Sequence, residues 1–494
     1  MIFTLIFLPL AAGGAAFGLA APRMRRGLLV LTALVHAVLT GMCWKTRPAP
    51  VLNGWLGLDA AGLLFLSLTS GLFLVVSLYI AGYLAQETNR KSAEPEEGLL
   101  FDNAPEAVFI GCLLLFLAAM TLVTVSQHFG LLWVAIEGTT LASAPLIYFH
   151  RQPRSLEATW KYLLICSVGI ALALLANFFL GVAAAGSGSE NLPIVLSPLL
   201  THARELQPEW LKTAGVLFFV GYGTKMGLAP LHTWLPDAHS EAPSPVSALL
   251  SGALLNCAFL GLLRVQQVFV AAGLEGFTRD IWLALGLASL IISAVFIIGQ
   301  TDYKRLLAYS SVENMGILAL GVGLGAAGAF GALLQAVNHS LVKAMLFLLA
   351  GNILGRYRTK HIPTVRGLLA AAPATGALWL MGFFALTGTP PFGPFLSKFT
   401  IVKAALDGDH IWLTVIFLTT LGVIFVGMAT VFLGMAQGEA GKNRALEHSP
   451  VSPGQWQLLP PLVLGALVLW LGLNVPETLT HLLKQIASTL SGAS

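Results

Sequence analysis

Six ionisable side chains lie inside long apolar stretches of this sequence. They are Glu137, Lys225, Glu313, His339, Lys343 and Lys398. A charge within the hydrocarbon core of a membrane is costly, so ionisable residues in such stretches mark ion or proton pathways. Carboxylate, amine and imidazole groups can all accept and release protons when their surroundings shift their pKa values. We therefore predict that this set transfers protons.

The spacing of the glutamates and lysines repeats along the chain. Glu137 precedes Lys225 by 88 residues, and Glu313 precedes Lys398 by 85. In both cases the lysine adjoins a segment broken by proline and glycine, GLAPLHTWLP in the first and TGTPPFGP in the second. Proline removes an amide donor and frees carbonyl groups that lipid cannot satisfy. Each break therefore indicates a place that water or other polar groups reach.

The elements that position these groups are membrane helices. The chain has 494 residues, of which 56% are hydrophobic and 10% charged, and its mean hydropathy is +0.81. A soluble protein carries about 25% charged residues, and each apolar stretch here is long enough to cross a bilayer. About fourteen stretches recur: 2–21, 27–44, 59–83, 107–126, 129–149, 160–184, 211–231, 243–270, 281–300, 304–325, 327–354, 372–396, 411–436 and 457–474.

The basic residues of the loops indicate the orientation of these helices. If the N-terminus is outside, the cytoplasmic loops hold Arg23, Arg25, Arg26, Arg90, Lys91, Arg151, Arg154, Lys304, Arg305, Arg356, Arg358, Lys360, Arg366, Lys442 and Arg444. This asymmetry follows the positive-inside rule and favours an outside N-terminus with an even number of spans. The first segment, MIFTLIFLPL, lacks a basic region before it, so we expect a retained helix instead of a signal peptide.

The order of the charged helices indicates internal symmetry. In each half the glutamate helix lies two spans before the lysine helix, and five spans separate the corresponding helices. An odd separation gives the second copy the inverted topology. Inverted repeats with matched discontinuous helices are typical of transporters whose sites lie near the middle of the bilayer.

The sequence gives no sign of a cofactor site within the chain. Its four cysteines, Cys43, Cys112, Cys166 and Cys257, stand alone in separate helices without a CxxC or His–Cys pattern. Iron–sulfur and zinc sites need clustered ligands. The glycine-rich stretch 321–331 does not follow a strand, which favours helix packing over nucleotide binding. We therefore expect no cofactor or metal here and assign any redox chemistry to other subunits.

Four motifs resemble those of a known family. They are GTKMGLAPLHTWLPDAHSEAPSPVSALLSG, DYKRLLAYSS, NHSLVKAMLFLLAG and GTPPFGPFLSKF. Across roughly 60–440 the chain resembles the antiporter-like, proton-conducting membrane subunits shared by respiratory complex I, multisubunit Na+/H+ antiporters and membrane-bound NiFe hydrogenases. Within that family, the SSVENMG segment around Glu313 and the short C-terminus most resemble hydrogenase-4 component F.

This resemblance implies an all-α fold of fourteen transmembrane helices. Helices 4–8 and 9–13 would be inverted repeats, with helices 7 and 12 discontinuous. The implied units are 1–106 (helices 1–3), 107–271, 272–440 and 441–494 (helix 14 and a tail). This chain would be a multi-pass protein of the cytoplasmic membrane of a bacterium or archaeon. Its partners would be further antiporter-like subunits and a peripheral redox arm that carries the iron–sulfur and NiFe centres.

The resemblance also implies roles for the charged residues. Glu137 and Lys225 would form the pair on the uptake side. His339 and Lys343 would carry protons along the axis; they are four residues apart and so lie on one helix face, where a proton can pass directly or through one water. Lys398 would release the proton.

Helix 8 departs from the family pattern. Many members carry a lysine or histidine there, but this chain offers Ser251 and Asn256, neither of which holds a proton near neutral pH. We predict that they orient a water chain; the alternative is that helix 8 gates or blocks conduction. Before helix 8, Asp237, His239 and Glu241 lie in a predicted loop. They would form a proton mouth, or alternatively cap helices and shape turns.

We therefore predict a proton-translocating, cofactor-free subunit of a redox-driven complex of the hydrogenase-4 or formate hydrogenlyase type. The alternatives are a subunit of a cation/proton antiporter or of the membrane arm of complex I. A sodium site would favour oxygen ligands, whereas this axis is rich in lysine. An integral-membrane enzyme would need its ionisable groups at one membrane face. A purely structural subunit would tolerate neutral substitution of both Lys225 and Lys398.

Overall fold

The computed structural model describes residues 1–87, 103–185, 192–438 and 454–491. These residues form α-helices, numbered in chain order: α1 (Ile2–Gly18), α2 (Pro22–Lys45), α3 (Ala60–Glu87), α4 (Glu106–Val125), α5 (Phe129–Ile147), α6 (Pro153–Ala185), α7 (Leu196–Thr201), α8 (Pro208–Met226), α9 (Trp234–Glu241), α10 (Ser244–Leu249), α11 (Leu255–Ala271), α12 (Glu275–Ile297), α13 (Tyr303–Gly323), α14 (Gly325–Tyr357), α15 (Leu368–Ala371), α16 (Pro373–Thr387), α17 (Gly393–Asp407), α18 (Ile411–Ala436), α19 (Gln455–Leu473) and α20 (Glu477–Thr489). Extended segments in these four ranges form only isolated bridges. The predicted all-α fold is confirmed.

Each of the fourteen predicted apolar segments contains a helix. Within the described residues, eleven helical spans are long and apolar enough to cross a membrane. The remaining three predicted segments hold α1, α8 and the pair α16–α17. A spanning helix satisfies its backbone hydrogen bonds internally, which is why lipid selects this structure for apolar sequence.

The helices divide into a buried centre and an outer ring. The apolar stretch within Ser244–Ala271 is 100% buried, and so is that of α13, whereas only 28% of the corresponding stretch of α18 is buried. On the outer ring large apolar side chains are exposed, as at Trp412, which is 81% exposed. The buried central helices are α10–α11, α13 and α14, and three of the six predicted residues lie on them.

Helices 7 and 12 are broken, as predicted. In helix 7, α8 ends at Met226 and α9 begins at Trp234. In helix 12, α16 ends at Thr387 and α17 begins at Gly393. Both first halves end in a glycine with a positive φ, 84° at Gly227 and 82° at Gly388. Glycine adopts this left-handed conformation without steric cost, so it ends a helix cleanly.

The eighth predicted transmembrane helix (helix 8), which is formed by α10 and α11, contains a π-helical turn that the sequence did not indicate. Leu250–Leu254 adopts this wider turn between α10 and α11, so helix 8 is continuous but irregular at Ser251. Single π-turns within α-helices are rare and occur frequently at functional sites.

Side-chain caps begin two of the helices that carry predicted glutamates. His128 Nδ1 accepts from the amides of Gly130 at 3.1 Å and Leu131 at 3.3 Å, at the start of α5. Burial lowers the pKa of the His128 imidazole, which favours the neutral ring that this acceptor role requires. At the start of α13, Asp302 Oδ1 accepts from the amide of Lys304 at 2.7 Å.

One sequence expectation needs correction, and one predicted segment gains detail. Asp237, His239 and Glu241 lie on a helix, α9, instead of in a loop. The predicted tail after helix 14 contains the amphipathic helix α20, whose Leu482, Leu483, Ile486 and Ala487 are buried. Four basic residues of the orientation argument, Arg90, Lys91, Lys442 and Arg444, lie outside the described residues.

Candidate functional site

Lys225 is enclosed in the last turn of α8, with 0% of the residue exposed. Its Nζ donates to Tyr162 OH at 2.6 Å and to Thr140 Oγ1 at 2.8 Å. The ammonium also lies 4.4 Å from the centroid of the Tyr162 ring and 5.9 Å from that of Trp234. We call Thr140, Tyr162 and Trp234 the Lys225 cage. A lysine held in this way does not extend to the membrane surface.

Glu137 reaches Lys225 through a hydroxyl group. Thr140 Oγ1 donates to Glu137 Oε2 at 3.1 Å while it accepts from Lys225. The other carboxylate oxygen, Oε1, accepts from Ser167 Oγ at 3.0 Å. Glu137 itself is half-buried. The first predicted pair is therefore joined by one bridging side chain instead of a direct contact.

In the second half the corresponding pair is in direct contact. Lys398 Nζ lies 3.3 Å from Glu313 Oε1. It also donates to the carbonyl oxygens of Leu386 at 3.2 Å and Thr387 at 3.4 Å. These carbonyls end α16, where the helix break leaves them without amide partners. Glu313 is 1% exposed and Lys398 6%, so this ion pair is buried.

The two broken helices explain why lysines are tolerated at these depths. The C-terminal end of a helix carries a partial negative charge, which stabilises a nearby cation. Lys225 lies in the last turn of α8, and Lys398 binds the last carbonyls of α16. Each break thus places the negative end of a half-helix beside an ammonium group in the interior.

His339 and Lys343 lie on α14 between the two pairs, and both are buried. His339 Nε2 lies 3.3 Å from the carbonyl oxygen of Ser251, in the π-turn of helix 8. Lys343 Nζ donates to the carbonyl of Leu307 and to Ser310 Oγ on α13. Although they share a helix face, they bind different partners, and no hydrogen bond joins their side chains in the described structure.

Ser251 and Asn256 face the second half of the molecule. Ser251 Oγ lies 2.8 Å from Ser311 Oγ on α13. Asn256 Nδ2 donates to Ser340 Oγ at 2.7 Å, and Ser340 is the neighbour of His339 on α14. The two neutral residues of helix 8 therefore contact α13 and α14, the helices that carry Glu313, His339 and Lys343.

The three residues of α9 have different environments. Asp237 binds Lys161 and Arg305, and Glu241 Oε1 accepts from Lys360 Nζ at 2.8 Å. Both carboxylates thus form ion pairs instead of helix caps. His239 is fully buried, and neither ring nitrogen has a hydrogen-bond partner among the described residues. Its ring stacks on Phe347 at 5.2 Å between centroids, and Phe347 lies 5.9 Å from Lys343 Nζ.

Several polar residues beside this axis were missed from the sequence. Gln335 Nε2 donates to Asn314 Oδ1 at 2.6 Å, and Ser397 Oγ donates to Gln335 Oε1, so an amide string joins α13, α14 and α17 beside the Glu313–Lys398 pair. The only available signal was spacing: Thr140 lies three residues after Glu137, on the same helix face. Tyr162 carried no comparable signal, because its contact with Lys225 depends on how α6 packs against α8.

Among the described residues, several polar atoms along the axis are buried without a hydrogen-bond partner. Besides the two ring nitrogens of His239, they include Asn256 Oδ1, His339 Nδ1, Glu313 Oε2, Tyr222 OH and both amide atoms of Asn338. Buried polar groups are normally satisfied by protein or by ordered water. Over the same residues, no group of three or more His, Cys, Asp or Glu side chains could hold a metal ion.

Residues 126–424 match the family described as NADH:quinone oxidoreductase/Mrp antiporter, transmembrane. A hydrogenase-4 component F homolog from Methylacidiphilum infernorum is 34% identical over 393 residues, which cover 78% of this chain and 81% of that protein. The Na(+)/H(+) antiporter subunit A1 of Staphylococcus haemolyticus is 31% identical over 94% of this chain, and the match spans 58% of that longer protein.

The fold also matches a solved membrane complex. A chain of the archaeal membrane-bound sulfane sulfur reductase superposes with a TM-score of 0.85 at 21% identity. The match covers 100% of this chain and 98% of that one. At this identity the likeness concerns the fold.

Proposed function

The chain belongs to the NADH:quinone oxidoreductase/Mrp antiporter family of membrane subunits, and from that premise we propose that it moves protons across the bilayer. It is an antiporter-like membrane subunit of the hydrogenase-4, Mrp or complex I type. We propose further that its parent complex is redox-driven, of the hydrogenase-4 or formate hydrogenlyase type, and that this chain contributes no cofactor and catalyses no redox step itself.

One observation carries the proposal: two buried lysines at helix breaks, each linked to a glutamate, flank a buried histidine and lysine. Lys225 is linked to Glu137 through Thr140, and Lys398 contacts Glu313. A static structural role would not require a second, separate arrangement of the same type. The unpartnered polar atoms between the pairs favour bound water, through which protons hop along hydrogen bonds.

Proton uptake would begin at the Lys225 cage. A proton on Lys225 is shared with two hydroxyl groups, those of Tyr162 and Thr140. The Thr140 hydroxyl can link the Lys225 ammonium to the Glu137 carboxylate, because a hydroxyl donates and accepts hydrogen bonds at once. Any motion that separates Thr140 from either partner would isolate the lysine from its carboxylate and favour release of its proton.

Transfer along the axis would pass through α14. Asn256 and Ser340 connect helix 8 to the neighbourhood of His339, and Lys343 interacts electrostatically with both Glu313 and Lys398. Two ammonium groups repel strongly where the dielectric constant is low. A proton that arrives at Lys343 would therefore weaken the hold of Lys398 on its own proton and drive release.

A second route to the axis would begin at α9. It carries Asp237 and Glu241, and the buried His239 lies between them in sequence, with neither ring nitrogen hydrogen-bonded to any described residue. Since His239 stacks on Phe347 and Phe347 adjoins Lys343, we propose this histidine as the link between a proton mouth and the axis.

The proposed setting follows from the same considerations. The excess of arginine and lysine on one side favours an outside N-terminus in the cytoplasmic membrane of a bacterium or archaeon. We propose further antiporter-like subunits as lateral partners. A peripheral arm would carry the iron–sulfur and NiFe centres. We also retain 107–271 and 272–440 as the two inverted repeats.

Lys225→Ala in the reconstituted complex tests the proposal. We expect it to abolish coupled pumping while the complex still assembles, because only a titratable side chain can hold the transferred proton. The matched control is Lys212→Ala, which removes an exposed lysine of the same helix paired with Glu209 at 3.1 Å. A normal proton-to-electron ratio in Lys225→Ala would refute the role of this residue. Normal pumping by Lys225→Ala/Lys398→Ala would favour a structural subunit.

The second candidate is a cation/proton antiporter subunit without a redox partner. The match to the Staphylococcus haemolyticus antiporter subunit over 94% of this chain favours it. An imposed sodium or proton gradient across vesicles containing the complex, without an electron donor, distinguishes the two. Cation-dependent proton flux under these conditions would favour the antiporter, and its absence together with pumping on addition of donor would favour the redox-driven complex.

A further inference from the structure

The short helix α9 contacts both the buried lysine and the protein surface. At its first residue, Trp234 Nε1 donates to the carbonyl oxygen of Thr224 at 2.8 Å, and the ring adjoins Lys225. One turn later, Asp237 accepts a hydrogen bond from Lys161 at 3.0 Å and forms an ion pair with Arg305 at 2.9 Å. Residues three apart share a helix face. A displacement of Asp237 would therefore move Trp234.

Helix α6 makes the same connection through two neighbouring residues. Lys161 binds Asp237 at the surface, and the adjacent Tyr162 accepts from Lys225 Nζ inside. The Tyr162 and Trp234 rings pack against each other with centroids 5.0 Å apart. Both aromatic walls of the Lys225 cage are thus attached, within one helical turn, to residues of a single ionic cluster.

The third member of that cluster comes from the second half of the chain. Arg305 lies at the start of α13, the helix that carries Glu313 eight residues later. We call Asp237, Lys161 and Arg305 the Asp237 cluster. It joins α6, α9 and α13 in a polar cleft of about 250 Å³.

The cluster is open enough to be broken. The side chains of Lys161, Arg305 and Asp237 are 45%, 42% and 18% exposed. Ion pairs at such exposure contribute little stability individually and are screened by salt. The Lys225 cage, in contrast, is buried. The weak ion pairs of the Asp237 cluster at the surface are therefore connected, through α6 and α9, to the buried contacts of the Lys225 cage.

We propose that Asp237 is a positioning residue whose ion pairs hold the Lys225 cage closed. When the Asp237 cluster opens, α9 and the start of α6 separate, and Tyr162 and Trp234 withdraw from Lys225. The consequence for proton uptake rests on the proposed function, whereas the closure of the cage does not. Because Arg305 belongs to α13, the state of the second half would set how readily the first half exchanges its proton.

Cys166 provides a native reporter for this closure. It is buried on α6, one turn after Tyr162, whose hydroxyl accepts from Lys225. The probe is methyl methanethiosulfonate, a small uncharged thiol reagent, and modification of Cys166 in the full-length protein is quantified by mass spectrometry. We expect Asp237→Asn to speed this modification about five- to tenfold, since about 1 kcal/mol separates such rates. Asp237→Glu should restore the wild-type rate.

Glu157→Gln is the matched control. Glu157 also binds Lys161, at 2.6 Å, but it is one turn away on the same helix, and no hydrogen bond or ion pair joins it to α9 in the described residues. We expect its rate of Cys166 modification to equal that of the wild type. A wild-type rate in folded Asp237→Asn, or an equal increase in Glu157→Gln, would overturn the proposal.

A measurement on the unmodified sequence covers the case in which Asp237→Asn does not fold. Raising the salt concentration from about 0.05 M to about 0.5 M shortens the screening length severalfold. We expect faster modification of Cys166, and an unchanged rate would overturn the proposal. None of these readouts requires transport. A chain that pumps no protons but shows these changes would therefore support the closure of the Lys225 cage by Asp237 and reject the proposed function.

Discussion

Lys225 and Glu137 are joined by the hydroxyl of Thr140, which accepts from the ammonium at 2.8 Å and donates to the carboxylate at 3.1 Å. The corresponding pair in the second half, Glu313 and Lys398, is in direct contact at 3.3 Å. The first pair can therefore be uncoupled by moving one small side chain, whereas the second requires the ions themselves to separate.

Thr140→Val tests the importance of the bridge. The substitution keeps the shape of the side chain and removes the hydroxyl, so Glu137 loses its link to Lys225. We expect proton pumping to slow about tenfold or more, because a transfer step is sensitive to displacements of about 1 Å. Thr139→Val is the control, since Thr139 donates only to a carbonyl of its own helix, that of Ile136 at 2.6 Å. Equal rates in the two variants would exclude the bridge from the path.

The buried pair of the second half should show strong coupling. Glu313→Gln leaves the ammonium of Lys398 with only carbonyl acceptors, and breaking a buried ion pair in this way costs about 3–5 kcal/mol. Thermal unfolding in detergent measures the loss. We expect Glu313→Gln/Lys398→Ala to be less destabilised than the sum of the single variants, as for any interacting pair. Strict additivity would contradict the contact, and Lys403→Ala, at an exposed pair with Asp407, should change little.

Asn256→Ala tests whether helix 8 takes part in conduction. Asn256 donates to Ser340 and leaves its Oδ1 free to bind water beside His339. Removing the amide should slow pumping severalfold. Asn177→Ala is the control, because Asn177 is also a buried asparagine with unpartnered polar atoms but lies on α6, away from His339. An unchanged rate in Asn256→Ala would remove this residue from the path.

For Arg264 we predict a role in stability alone. This residue, 1% exposed on α11, donates to the carbonyl of Thr124 at 2.8 Å, at the end of α4, and lies 3.2 Å from Asp59 Oδ1. Arg264→Met would remove the Arg264 donor from the buried carbonyl of Thr124 and the ion-pair partner from Asp59, which should cost about 3 kcal/mol. A lowered unfolding temperature in detergent would show it. Arg279→Met removes an exposed arginine and should have almost no effect; equal effects would refute the assignment.

The sequence predicted the parts of the structure that depend on local chemistry. Fourteen apolar stretches all contain helices, and the proline- and glycine-rich stretches around Gly227 and Gly388 became the breaks in helices 7 and 12. Apolar stretches and prolines determine the structure of the few residues around them, so their effects can be predicted without knowing the fold. The π-turn at Ser251 was not predicted from the sequence, because it depends on packing between helices.

The partners of the charged residues were largely beyond the sequence. The spacing of Glu137 and Lys225 indicated a pair but not the bridging Thr140 or the second hydroxyl of Tyr162, which comes from another helix. Asp237 was expected at a mouth or a cap; its two cations lie on α6 and α13, far apart in the chain. The proton-transfer roles themselves stay predictions, and the variants above test them.

Glu137 lies at the rim of the molecule, next to side chains that face outwards. On α5, Val134 is 50% exposed and Leu141 is 62% exposed, and on α6, Leu164 is 61% exposed. Lipid acyl chains cannot solvate a carboxylate. The space on the outward side of the Glu137 carboxylate must therefore be filled by polar groups or water. The polypeptide therefore leaves one side of the Glu137 carboxylate uncovered, and the neighbour that covers this side completes the site.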